Sequence, residues 1–306
     1  KQTKGGQKTC HKAIFIMTAV ERRWSVRLRS ARLNGIIQRW ADTATADDDA
    51  ATAHRPVVLF LHGWPESWFC WRHQLQAVQQ AGYRGIAPDM RGYGGTDAPA
   101  HVADYTVYSI AGDCLALLQH LGVERAALVG HDHGANVGWK LALLHPASFG
   151  LYCALSVPYA GRPNAPPIEK LRAKFGDERA PPTANAKFNY QLHHQLPVAA
   201  AAYDANPRAA LLALLQEGNP APDAMPAPPP VTSRSLYVDG VAEPMWRRVP
   251  QPAGPPSWLP AVDFEYLLST FTPGAPGGRG FEGVSDGRET RASLLCQSIA
   301  RAWRQR

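Results

Sequence analysis

The pentapeptide Gly130-His131-Asp132-His133-Gly134 decides the fold class of this 306-residue chain. It follows an apolar run, Ala126 to Val129, that is typical of a buried strand, and it opens a stretch with helical spacing of apolar residues. The two glycines allow a tight turn between strand and helix. The spacing G-x-D-x-G therefore predicts an elbow that holds the Asp132 side chain in the open, near the amides of a helix N-terminus.

Asp132 is an acid at the position where esterases of this layout carry serine. A carboxylate that attacks a saturated carbon forms an ester, which water can hydrolyse, whereas a serine would leave an inert ether. The residue type therefore favours alkyl transfer to Asp132 followed by ester hydrolysis, a chemistry suited to epoxides or haloalkanes. The alternative is that Asp132 only caps the helix that begins near Gly134, because aspartate is a good N-cap.

A second motif lies upstream of the elbow. The apolar run Pro56 to Leu61 predicts a buried strand, and it leads directly into the segment HGWPES, His62 to Ser67. Gly63 lets the chain turn sharply, and Pro65 stiffens the loop. His62 is expected to support this loop.

Two backbone N–H groups at these motifs are candidates for an oxyanion hole, which needs donors that face the developing charge. They belong to Trp64 and to His133, the residue after Asp132. The triplet His131-Asp132-His133 also leaves a zinc site open as an alternative. Alternate residues of a tight turn point apart, however, and no further spaced His or Cys completes a ligand set, so no metal is expected.

Four ordered segments resemble signatures of the soluble epoxide hydrolases of the α/β-hydrolase superfamily: HGWPESWFCWRHQ (His62 to Gln74), APDMRGYGGTDAP (Ala87 to Pro99), LVGHDHGA (Leu128 to Ala135) and FNYQLHHQ (Phe188 to Gln195). The likeness runs from about Arg32 to about Gly280. It implies the α/β-hydrolase fold, with a mostly parallel sheet flanked by helices and a helical cap domain.

The resemblance also implies roles for the matching residues. In the family the elbow aspartate attacks the epoxide, the loop after His-Gly supplies oxyanion donors, and a cap tyrosine protonates the epoxide oxygen. These roles fall on Asp132 as nucleophile, Trp64 and His133 as oxyanion donors, Tyr190 as proton donor, and His62, Gly63 and Pro65 in the loop beside the substrate. The implied partners are a small-molecule epoxide and water, the implied product is a diol, and no cofactor is expected.

Some positions depart from the family. His133 stands where the family usually has tryptophan, so its backbone donor survives while the wall of the pocket changes. In haloalkane dehalogenases that indole helps to hold the halide, so its absence, together with Pro65-Glu66 and Tyr190, favours an epoxide hydrolase over a dehalogenase. His193 and His194 stand where the family tends to have aromatic residues, which predicts a more polar face of the cap.

Every histidine of the chain lies at or before His194. In the family a water-activating histidine and its partner aspartate lie near the C-terminus, and a second cap tyrosine lies beyond the position of Gly280. None has a counterpart here, and Asp286 is given no such role. We therefore expect a truncated or aberrant C-terminus, missing last strands and an impaired second half-reaction. The alternative is a catalytically inactive relative that binds a small apolar ligand beneath its cap.

The net charge of +7 does not indicate a nucleic-acid partner, because the two ends of the chain supply it. Residues 1–40 carry ten Lys or Arg against Glu21 alone, and residues 275–306 carry six against three acids. No window is apolar and long enough to span a membrane. Five unclustered cysteines predict free thiols in a reducing compartment, hence a cytoplasmic protein, although the basic N-terminus leaves a transit peptide open. The oligomeric state stays open.

The chain divides by pattern into four parts. Residues 1–16 precede the first methionine and predict a disordered extension, and residues 17–158 the N-terminal part of the core. Residues 159–280 predict a helical cap with a proline-rich linker, and residues 281–306 an atypical tail. A hairpin turning at Asn34-Gly35 is followed by predicted strands at 57–61, 84–87, 126–129 and 151–157, core helices at 68–81, 108–121 and 134–145, and cap helices at 169–174, 185–194, 198–204, 208–217 and 263–271.

Overall fold

The computed structural model describes residues 19–44, 55–161, 167–181, 187–196, 198–215, 235–238, 240–249, 251–273 and 275. These residues form two compact units. The sheet unit comprises the described residues up to Pro99, those from Asp104 to Gly161, and Ala275. The cap unit comprises Ala100–Ala103 and the described residues from Pro167 to Pro273. The boundaries drawn from sequence stay predictions, and the expected extension 1–16 and tail 281–306 lie outside the described residues.

In the sheet unit, a short helical segment at residues 19–24 precedes the predicted hairpin. Its strands are β1 (Arg27–Leu33) and β2 (Ile36–Asp42). Asn34 and Gly35 have φ values of 47° and 81°, the left-handed conformation that a two-residue hairpin turn requires and that Asn and Gly tolerate. On its other side β2 pairs antiparallel with β4 (Arg84–Pro88).

Three further strands complete the sheet among the described residues: β3 (Val57–Leu61), β5 (Ala126–His131) and β6 (Leu151–Leu155). Parallel pairing of β4 with β3, β3 with β5 and β5 with β6 gives the strand order β1-β2-β4-β3-β5-β6. β3 is buried along its whole length, as its apolar composition predicts for a central strand. The predicted, mostly parallel α/β sheet is confirmed. The expected loss of the last strands concerns residues after Ala275, outside the described part of the chain.

The three helices predicted for the sheet unit lie close to their expected positions. They are α1 (Arg72–Gln80), α2 (Val107–His120) and α3 (His133–Leu144). The predicted helix at 68–81 begins instead as a 3₁₀ turn, Trp68–Trp71, because the Ser67 side chain accepts the N–H of Phe69 and the turn buries its large side chains. α3 packs on β5 and β6 and against α2.

The described residues of the cap unit form helices, one short hairpin and an isolated bridge between Lys187 and Ser235. Its elements are α4 (Pro167–Phe175), α5 (Tyr190–His193), α6 (Val198–Asp204), α7 (Pro207–Leu214), β7 (Tyr237–Val238), β8 (Val241–Ala242) and α8 (Ala261–Phe271). The helix predicted at 185–194 is shorter than expected, because the Asn189 side chain accepts the N–H groups of Gln191 and Leu192 and so starts the helix after itself. The proline-rich linker lies outside the described residues.

Two further expectations concern the described residues as a whole. Cys70, Cys114 and Cys153 are free thiols, as predicted, and Cys10 and Cys296 lie outside the description. In the described part of the chain, no helix has both the length and the apolar character that crossing a membrane requires.

Candidate active site

Asp132 lies between β5 and α3, at the elbow that the sequence predicts. Its φ of 51° and ψ of −116° place a non-glycine residue in a left-handed conformation that costs about 1–3 kcal/mol. Close packing holds it there. A Cβ added to Gly130 would come within 2.6 Å of the carbonyl oxygen of Gly134, and one added to Gly63 would come within 2.5 Å of the Asp132 Cβ. Gly130 is therefore required by close approach of the backbone, and Gly63 by close approach of the Asp132 side chain.

The carboxylate of Asp132 is bound by the upstream loop. The N–H of Trp64 donates to its Oδ1 at 3.1 Å. Among the described residues its side chain makes no capping hydrogen bond to α3, and its main-chain oxygen accepts the N–H groups of Ala135 and Asn136 instead. Helix capping by the side chain therefore does not account for an aspartate at this position.

His133 is the first residue of α3, so its N–H has no acceptor within the helix. The residue is only 6% exposed, and Nε2 of its ring has no hydrogen-bond partner among the described residues. Burial lowers the pKa of His133 to about 4, and the charge of Asp132 offsets this only in part. The imidazole is therefore neutral at pH 7. Among the residues that the structure describes, no cluster of three His, Cys, Asp or Glu is suited to a metal ion.

His62 connects the loop after β3 to the loop after β4. The N–H of Met90 donates to its Nε2 at 2.9 Å, so Nδ1 must carry the proton that is donated to the carbonyl oxygen of Gly63, also at 2.9 Å. The ring is fully buried, and burial lowers the pKa of His62. A neutral His62 thus supports the loop that carries Trp64.

Glu66 and His131 form a pair beside Asp132 that the sequence did not reveal. Glu66 Oε2 accepts the N–H of Gly63 at 2.8 Å and lies 3.0 Å from His131 Nδ1. Burial raises the pKa of Glu66, but the hydrogen bond and charge of His131, the Gly63 N–H and the nearby His62 together outweigh it, so the pKa of Glu66 is lowered. The hydrogen bond with Glu66 raises the pKa of His131. The turn between Gly63 and Glu66 contains the cis Trp64-Pro65 bond. An acid three residues after Gly63 was a signal for the bond of Glu66 to the loop, but nothing in the sequence indicated His131 as its partner.

Asp89 binds the end of the loop after β3, which carries Trp64. It is fully buried, and its carboxylate accepts the N–H of Trp68 at 3.1 Å, the N–H of Gly95 at 3.0 Å and Nε of Arg39 at 2.7 Å. A buried carboxylate needs such compensation, because burial without partners is costly. This ion pair joins β2, the glycine-rich loop and the loop that carries Trp64.

Tyr190 belongs to the cap unit, where it is the first residue of α5. It is partly buried and packs against the cluster of Phe188 and Leu236. Its ring meets the ring of His194 edge to face, with centroids 5.6 Å apart. The other predicted site residues all lie in the sheet unit.

The expectation of a polar cap face at His193 and His194 is wrong, because both side chains are buried. Nε2 of His194 lies 3.4 Å from the Tyr203 hydroxyl, while neither ring nitrogen of His193 has a hydrogen-bond partner among the described residues. Burial, together with the nearby cation Arg248, lowers the pKa of His193 to about 3, and burial holds that of His194 well below its usual value. Hydrophobic burial places both imidazoles inside the cap unit as neutral rings.

The fold and the elbow define a hydrolase of the α/β-hydrolase class. A family model described as "alpha/beta hydrolase fold" matches residues 56–237. Epoxide hydrolase A of Mycobacterium tuberculosis is 34% identical over 255 residues, which cover 82% of this chain and 74% of that protein. Epoxide hydrolase 3 of Siraitia grosvenorii is 37% identical over 225 residues, which cover 72% of this chain and 63% of that protein.

Solved structures give the same result. Epoxide hydrolase A from Mycobacterium thermoresistibile superposes with a TM-score of 0.69 at 30% identity, over 91% of this chain and 76% of that one. Epoxide hydrolase VrEH1 from Vigna radiata superposes with a TM-score of 0.67 at 33% identity, over 91% and 74%. The chain belongs to the epoxide hydrolase family of α/β-hydrolase fold enzymes.

Proposed function

We propose that this chain opens an epoxide by attack of Asp132 on a ring carbon. The hydrogen bond from the Trp64 N–H to Oδ1 carries this proposal, because it binds one carboxylate oxygen in the position of an oxyanion and leaves Oδ2 as the nucleophile. In the first half-reaction a bond forms between Oδ2 and the ring carbon, and the bond from that carbon to the epoxide oxygen breaks.

Tyr190 supplies the proton for the leaving oxygen in this proposal. A phenol remains protonated at neutral pH and can still donate to an alkoxide as it forms. The role rests on the resemblance of the FNYQL segment to the family and on the position of Tyr190 at the start of α5. The product of the first half-reaction is a hydroxyalkyl ester of Asp132.

Hydrolysis of that ester is the second half-reaction. Water attacks the carboxyl carbon, and the N–H groups of Trp64 and His133 stabilise the negative charge that develops on Oδ1. The bond from the carboxyl carbon to Oδ2 then breaks and releases the diol. Deprotonation of the water requires a general base. The family places a histidine near the C-terminus for this purpose, and these 306 residues contain no histidine after His194. We therefore propose that the 306-residue polypeptide accumulates the ester and hydrolyses it slowly.

The test is intact mass spectrometry of the polypeptide after incubation with styrene oxide. We expect a single adduct with the mass of one epoxide molecule, located on the peptide that contains Asp132. The variant Asp132→Asn should form none, whereas Asp97→Asn, which changes an acid elsewhere in the sheet unit, should still form it. Multiple turnover to the diol without a detectable adduct would contradict the slow second step, and an adduct that persists in Asp132→Asn would contradict the choice of nucleophile.

We also propose a reducing compartment, the cytoplasm, as the location. The free thiols Cys70, Cys114 and Cys153 support this. Imaging of a tagged chain tests it, and the proposal fails if the protein is found in an oxidising compartment.

A further inference from the structure

A cavity of about 610 Å³ opens on the sheet unit beside the first hairpin. Three arginines, Arg22, Arg27 and Arg29, line it together with two acids, Glu21 and Asp42. We call it the arginine cleft. None of the residues of the candidate active site borders it, so its chemistry is independent of epoxide opening.

Local backbone geometry creates the cleft. Residues 19–24 are helical, and Ser25, with a φ of 51°, ends the helical segment. The N–H of Val26 then bonds to the carbonyl oxygen of Glu21 at 3.1 Å, as at a helix end closed by a left-handed residue. β1 starts directly afterwards at Arg27. The helical segment and the strand therefore border the same cleft, with arginines on both.

The two acids of the cleft already have partners. Asp42 is fully buried and accepts Nε and Nη2 of Arg84, at 3.0 and 2.7 Å, and the N–H of Ala44 at 2.9 Å. Oε1 of Glu21 accepts the N–H of Leu28 at 2.8 Å. With Arg84 paired to Asp42, these carboxylates do not neutralise all the arginines of the cleft.

Arg22 and Arg27 are exposed, and among the described residues neither guanidinium takes part in an ion pair or hydrogen bond. Arg29 is partly engaged, since its Nη2 donates to the carbonyl oxygen of Ala44 at 3.2 Å and its Nε lies 3.4 Å from Asp42. Within the described part of the chain, the cleft therefore presents two unpaired guanidinium groups next to a third that is held in place.

We propose that the arginine cleft binds a phosphate monoester. The planar guanidinium fork matches the oxygen geometry of a phosphate, and two unpaired arginines match its double charge. The volume lies within the range of about 300–1,000 Å³ typical of small-molecule sites. Leu28 and Ala44 provide apolar surface for the organic part of the ligand. The phosphate belongs either to a free small molecule or to the headgroup of an anionic lipid.

Calorimetric titration of the 306-residue chain with phenyl phosphate at low ionic strength tests the proposal. We expect binding, and we expect the double variant Arg22→Gln/Arg27→Gln to weaken it by at least about tenfold, because two charge-assisted contacts are lost. The double variant Arg22→Lys/Arg27→Lys keeps the positive charges but loses the planar guanidinium fork. Its affinity for phenyl phosphate should lie between those of the unchanged chain and the double Gln variant. Arg32→Gln is the matched control, an exposed arginine of β1 outside the cleft, and it should change binding by less than about twofold.

A sedimentation assay separates the two sources of the phosphate. Vesicles of phosphatidylcholine are compared with vesicles that also contain about one fifth phosphatidic acid. Binding of phenyl phosphate without vesicle binding identifies a free phosphate monoester, and vesicle binding that is lost in the double Gln variant identifies a lipid headgroup. The proposal is overturned if neither probe binds, or if Arg32→Gln weakens binding as much as the double Gln variant, since that would indicate diffuse charge. Thermal unfolding of each variant shows that it is folded.

Discussion

Acid should loosen the cap unit, because His193 and His194 are buried there as neutral rings. The pKa of His193 is about 3 in the folded chain, whereas a histidine in an unfolded chain has a pKa of about 6.5. When folding lowers the pKa of a histidine, its contribution to stability is fully present at pH values above its pKa in the unfolded chain. That stabilisation is lost as the pH falls from about 6.5 towards the folded value of about 3.

The structure gives the size of the effect. At pH 5 the unfolded chain has bound a proton at His193 while the folded chain has not, which lowers the free energy of unfolding by ~2 kcal/mol. His194 acts in the same direction. The groups packed around His193 are the rings of Phe188, His194 and Tyr203, with the cation Arg248 nearby, and no carboxylate contributes to its pKa shift. Nothing at the site therefore favours protonation.

Hydrogen exchange followed by mass spectrometry measures this directly. Protection factors of peptides from α5 to α7, corrected for the intrinsic pH dependence of exchange, should fall between pH 7 and pH 5. His193→Phe replaces the imidazole with the kind of side chain the family tends to have there. It should reduce the slope of the free energy of cap opening against pH by the equivalent of about one proton. His101→Gln is the control, an exposed histidine that should leave the slope unchanged.

Two results would refute this reasoning. One is protection of the cap helices that does not change between pH 7 and pH 5. The other is an equal slope of the opening free energy against pH in His193→Phe and in the unchanged chain. The proton taken up on opening would then bind to a group other than His193.

Two further predictions concern the elbow and its neighbours. Gly134→Ala should lower the free energy of unfolding by about 2–3 kcal/mol, because the new Cβ meets the backbone of Leu61, which has no room to move. The control is Gly254→Ala, where the new Cβ lies in open space, and it should change the free energy of unfolding by no more than about 0.5 kcal/mol. Equal denaturation midpoints for the two variants would contradict the packing argument. Glu66→Gln removes the carboxylate whose hydrogen bond and charge raise the pKa of His131. An NMR titration should therefore show that pKa falling towards about 6.5. A pKa that does not move would mean that Glu66 is not its cause.

Local sequence signals were sufficient for the elements that depend on near neighbours. The Asn34-Gly35 hairpin and the strands β3, β5 and β6 follow from turn chemistry and apolar runs, because backbone sterics and burial act within a few residues. The same signals misplaced the start of the helix at Tyr190, where the Asn189 cap decides, and the 3₁₀ turn before α1, where burial of Trp68 and Phe69 decides.

The pairings between distant residues were beyond the reach of the sequence. The ion pair of Arg39 with Asp89 joins residues 50 positions apart, and the contact of Glu66 with His131 spans 65. Any acid can pair with many bases, so the sequence gives no reason to choose one partner. The burial of His193 and His194 was missed for a related reason, since a pair of imidazoles in a helix reads as polar until the surrounding rings are placed.

The sequence by itself determined the elbow: Gly130, Asp132 and Gly134 at that spacing, after an apolar run, specify a strand, a strained turn and a helix, because these requirements are steric and local. It left open whether the carboxylate of Asp132 caps the helix or faces another group. Only the tertiary structure decided this, by bringing the Trp64 N–H, 68 positions away, to Oδ1 at 3.1 Å. A hydrogen bond depends on distance and angle in space, and parallel strands β3 and β5 had to pair before that distance existed.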